Sequence, residues 1–100
     1  MNKNKVKKVV KYSASWCAPC RAFVPTFKDV SEMEEFSDIT FESIMLDDGE
    51  DHDLDIAKFE IKSIPTTILL DENNEPIYKV MGNVPKKDLV DLITTCLKER

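Results

Sequence analysis

Two cysteines, Cys17 and Cys20, stand two residues apart at the seam between two hydrophobic patterns. Before them, Val6, Val9, Val10 and Tyr12 give a β-branched and aromatic run over 6–13, which predicts a buried strand. After them, Phe23, Phe27 and Val30, then Met33 or Phe36, recur at three- and four-residue steps, which predicts a helix. The pair therefore sits where a strand ends and a helix starts. Pro25 falls inside the helical repeat and removes one backbone hydrogen bond, so a kink is expected there. Two cysteines at this spacing can close a small disulfide ring or supply half of a metal site, and only context can decide.

The remaining chain supplies that context. A second strand is predicted over 39–46, through Phe41, Ile44 and Leu46. A short helix over about 53–59 follows an acidic run, whose carboxylates suit a helix N-terminus. The segments 66–70 and 76–81 read as strands joined by the turn Asp71-Glu72-Asn73-Asn74-Glu75, hence a hairpin. A last helix over about 85–98 places Leu89, Leu92, Ile93, Cys96 and Leu97 on one face. The order strand–helix–strand predicts a right-handed parallel unit, to which the hairpin adds antiparallel strands. The class is α/β: a mixed four-stranded sheet flanked by three helices, with helices on both faces.

Composition bounds the rest. One hundred residues predict a single domain, 1–100, with its core over about 6–98. A net charge of −5 argues against nucleic acid as the main partner. Lys3, Lys5, Lys7, Lys8 and Lys11 read as a solvated edge or N-terminus, and the 47–55 carboxylates as a solvated loop and helix cap. Those carboxylates lack the glycine spacing of a calcium loop. An odd count of three cysteines is not a secreted disulfide framework. No apolar run reaches the ~18 residues of a membrane span and no secretory segment opens the chain, so a soluble, cytoplasmic monomer is expected.

Four features together resemble one family. Trp16-Cys17-Ala18-Pro19-Cys20 resembles the thioredoxin active site, and Pro25 resembles that family's helix-kinking proline. Ile64-Pro65-Thr66 resembles its cis-proline loop, and Gly82 its groove-lining glycine. The resemblance implies the thioredoxin fold with sheet order second–first–third–fourth, shortened by the strand and helix that usually precede the central strand. Two further departures stand out. Ala18-Pro19 replaces the usual Gly-Pro, and Lys11 occupies the place of a buried aspartate, whose usual lysine partner falls at Ser43, beside Glu42.

The resemblance implies a thiol–disulfide oxidoreductase that reduces protein disulfides, with Cys17 as exposed attacker and Cys20 as resolving thiol. It needs no cofactor beyond the Cys17–Cys20 disulfide. Its partners would be disulfide-containing proteins and a thioredoxin-reductase-like donor. Trp16, Ala18, Pro19, Ile64, Pro65 and Gly82 would shape the substrate groove, and a cis Pro65 would keep metal from the dithiol. Lys11 has two readings: a stem packed in the strand with its ammonium at the edge, or a cation near the pair that favours thiolate. Cys96 reads as a buried inert thiol and His52 as an exposed residue of the acidic run, so a metal site from these with Cys17 and Cys20 is set aside. The alternatives are a more oxidising exchanger, or a binding module in which redox chemistry is incidental.

Overall fold

The computed structural model describes residues 5–97. Its elements are β1 (Lys8–Ser13), α1 (Ala18–Ser31), a 3-10 turn (Glu34–Phe36), β2 (Thr40–Met45), α2 (Asp53–Lys58), β3 (Thr66–Leu70), β4 (Pro76–Met81) and α3 (Lys86–Leu97). Lys3 and the last residue of the expected 85–98 helix lie outside the described residues. The sheet order is β2-β1-β3-β4, with β1 parallel to β2 and the β1–β3 and β3–β4 pairs antiparallel.

β1 is central and buried on both faces. Val9 packs with Phe23, Phe27, Val30, Leu69, Leu89 and Ile93, under α1 and α3. Val10 and Tyr12 point the other way and pack with Phe59, Ile61, Ile68 and Leu70, on the α2 side. Helices therefore cover both faces, as the sequence predicts. Each fully buried large apolar side chain in these layers stabilises the fold by about 1.5–3 kcal/mol.

Two boundaries and the burial of one residue differ from expectation. Val6 is buried but precedes β1, although backbone pairing begins at Lys7, which donates to Leu70 O and accepts from Thr40 N–H. α1 stops at Ser31, and Phe36 reaches the core from the 3-10 turn rather than from a continued helix. The apolar period runs on because the turn still faces the same layer. Lys11 is not on a solvated edge: it lies on the central strand and is 3% exposed. Pro25 lies within α1, where its missing N–H leaves the Arg21 carbonyl without the usual donor.

Candidate active site

Cys17 and Cys20 are joined as a disulfide, with Cα atoms 5.2 Å apart. Cys17 is the N-cap of α1, and its Sγ accepts the Cys20 N–H at 3.2 Å. Ala18 and Pro19 fill the first turn. Proline is tolerated there because first-turn N–H groups have no helical partner. Unpaired N–H groups and the helix dipole favour negative charge at Cys17 Sγ once the disulfide opens.

The cis-proline loop closes the other side. Ile64-Pro65 is a cis peptide, and the Ile64 carbonyl oxygen lies 3.8 Å from Cys17 Sγ. Ile64 also packs against Ala14, Cys17 and Cys20. Gly82 N–H donates to Pro65 O at 2.8 Å, which ties the end of β4 to the loop. Gly82 has φ +93°, and a Cβ at this position would meet no atom within 4 Å. Backbone conformation rather than crowding therefore favours glycine there. Trp16 is 71% exposed, and Ala18 and Pro19 are exposed beside it.

The expected exposure of Cys17 needs correction. Cys17 is 4% exposed and Cys20 2%. Ile64 covers the bridge, so the two sulfurs differ by helix position rather than by accessibility in this oxidised form.

Lys11 faces the α1 side of the sheet, as Val9 does, and its strand neighbours in register are Ser43 on β2 and Thr67 on β3. Its Nζ lies 5.1 Å from the Phe27 ring centroid, and burial pushes its pKa below the ordinary lysine value. Phe27 stands two helical turns beyond Cys20 on the same helix. Thr67 Oγ1, across the strand, is buried and has no hydrogen-bond partner among the described residues. Glu42 pairs with Lys8 at 3.4 Å.

The other candidates lie elsewhere. Cys96 is buried on α3 in the α1–α3 layer. His52 hydrogen-bonds Asp48 at 2.8 Å before α2, and that bond raises its pKa. Among the described residues no group of three or more His, Cys, Asp or Glu could hold a metal ion.

Sequence reasoning missed Ser15, Asp47 and Arg21. Ser15 N–H donates to both Asp47 carboxylate oxygens at 3.2 Å, and Ser15 Oγ donates to Asp47 Oδ2. Arg21 Nη1 donates to Ser15 O at 2.9 Å. The Ser15 hydroxyl, then its N–H, holds the Asp47 carboxyl below the ordinary aspartate value. Only the closeness of the β1 and β2 ends could have signalled this set, and local composition does not carry it.

A family model, Thioredoxin, matches residues 1–95. The chain belongs to the thioredoxin family. A thioredoxin of Staphylococcus haemolyticus is 34% identical over 87 residues, covering 86% of this chain and 78% of the relative. A thioredoxin of Mycoplasma genitalium is 33% identical over 84 residues, covering 84% and 76%. Among solved structures, Schistosoma mansoni thioredoxin superposes with a TM-score of 0.72 at 30% identity, covering 95% of this chain and 82% of that one. Malassezia sympodialis thioredoxin gives 0.76 at 24% identity, covering 95% and 77%, which speaks to the fold. Family membership with the Cys17–Cys20 pair makes this chain a thiol–disulfide oxidoreductase.

Proposed function

We propose that the chain reduces protein disulfides, with Cys17 as attacking thiolate and Cys20 as resolving thiol. The observation that carries this is the N-cap position of Cys17, where Sγ receives a backbone N–H. In the reduced protein, Cys17 thiolate attacks one substrate sulfur. A mixed disulfide forms, and the other substrate sulfur leaves as thiolate and takes up a proton. Cys20 then gives up its proton and attacks Cys17 Sγ. The second substrate sulfur leaves, and the Cys17–Cys20 disulfide forms. Two electrons have moved to the substrate.

Trp16, Ala18, Pro19, Ile64, Pro65 and Gly82 form the groove that receives the substrate backbone. A thioredoxin-reductase-like donor returns the electrons. The protein works as a cytoplasmic monomer in electron transport and redox homeostasis, without a further cofactor. Among the described residues no helix is long and apolar enough to cross a membrane.

Cys20→Ser should leave a long-lived mixed disulfide through Cys17, and mass spectrometry of the trapped complex identifies the substrate. If Cys17→Ser traps and Cys20→Ser does not, the two roles are reversed. Failure of the wild type to reduce insulin with dithiothreitol would favour the binding-module reading.

One observation favours a second reading of direction. Lys11 brings a cation beside α1, the helix that carries Cys20, and it makes no ion pair among the described residues. Acting through a poorly polarisable interior, that charge stabilises thiolate and makes the disulfide more oxidising. A potential well above about −200 mV supports the oxidising role, and one near about −270 mV the reductase.

A further inference from the structure

Trp16 is carried on an unusually well-tied piece of backbone. Its indole is 71% exposed, so core packing does not hold it. The residues on either side do. Cys17 N–H donates to Ala14 O at 3.2 Å. Ser15, although exposed, has its N–H, hydroxyl and carbonyl all engaged, by Asp47 and Arg21.

The acceptor is itself fixed. Leu46 N–H donates to Ser13 O at 2.7 Å, continuing the parallel β1–β2 pairing one step past β2. Asp47 is the next residue, so its carboxylate is placed by the sheet rather than by the acidic loop beyond. Asp47 accepts both the N–H and the hydroxyl of Ser15, and bonds to both groups of one residue fix its backbone and its side chain together.

We propose that Asp47 is a positioning residue of the redox centre: through Ser15 it holds the backbone that carries Trp16, and so sets how a protein substrate docks beside Cys17. This rests on the substrate-reducing role proposed above. Asp47 takes no part in the exchange of electrons.

The chain contains one tryptophan, so fluorescence reads Trp16 alone. In the full chain, Asp47→Ala and Ser15→Ala should both enlarge the fast local component of Trp16 anisotropy decay. KM for insulin should rise roughly fivefold, the change expected for one lost hydrogen bond, while kcat holds. The rate with oxidised glutathione, which has no protein surface to dock, should hold as well. Asp47→Asn keeps a carbonyl acceptor without the charge, and should stay near wild type in anisotropy and KM.

Unchanged anisotropy in both alanine variants overturns the proposal. So does an Asp47→Asn variant that matches Asp47→Ala, because charge rather than position would then be at work. If wild type fails to reduce insulin, the substrate-reducing role falls, and the anisotropy still decides whether the clamp exists.

Discussion

Lys11 places an amine among apolar side chains, and the Phe27 ring beside it compensates only in part. Its lowered pKa says that the folded environment disfavours the charged form despite that ring. Between this lowered value and 10.5 the unfolded chain binds more protons than the native one, so stability rises with pH across that window. Urea unfolding at a series of pH values should show this rise in wild type and lose it in Lys11→Met. The variant should be the more stable protein at neutral pH. The same variant should have a higher Cys17 thiol pKa, because a cation that favours thiolate is gone. An unchanged thiol titration rules out tuning by Lys11. The burial of Lys11 was half legible in the sequence. A lysine in a strand can reach either water or core, and only the register, with Ser43 and Thr67 as neighbours, decides which layer it enters.

At the scale of elements, one side chain braces the β3–β4 hairpin turn beside its backbone bonds from Asp71 N–H to Glu75 O and from Asn74 N–H to Asp71 O. Asp71 Oδ1 accepts the N–H groups of Asn73 at 2.8 Å and Glu75 at 3.0 Å, and Asn74 adopts φ 63°. Asp71→Ala should destabilise the protein by about 1–3 kcal/mol, read by denaturant unfolding, because two backbone donors lose their shared acceptor. This turn was plain in the sequence, since Asp and Asn supply both the local acceptor and the tolerance for positive φ. The order of elements along the chain and the β1–β2 and β3–β4 pairs were equally plain, because alternation and helical period survive single charged residues, whereas the sheet order β2-β1-β3-β4 was carried only by the family resemblance. The end of α1 was not. Phe36 continues the apolar spacing although the chain has left the helix, and periodicity cannot separate a helix from a turn that faces the same core. The Ser15–Asp47 contact was hidden for a different reason. It joins residues 32 apart through strand register, while Asp47 belongs by composition to an acidic run that looks solvated.

The whole molecule rests on two apolar layers with the sheet between them, and α1 ties the larger layer to the redox pair. Phe23 is fully buried one turn after Cys20 and contacts Phe27 with ring centroids 5.9 Å apart. Phe23→Ala should cost about 3–5 kcal/mol. That is a large share of the roughly 5–15 kcal/mol that holds a domain together, so thermal unfolding should drop steeply. The same helix begins at Cys17, whose sulfur accepts the Cys20 N–H. That bond carries a neutral sulfur in the disulfide and a charged one in the thiolate. Opening the bridge thus changes how well α1 is capped, while in the unfolded chain the same opening has no helix to cap. Around the closed cycle of folding and reduction, free energies must sum to zero. The gap between the unfolding free energies of the oxidised and reduced proteins is therefore the gap between the folded and unfolded dithiol potentials. Two denaturation curves, one for each redox state, weigh this protein's oxidising power without an electrode.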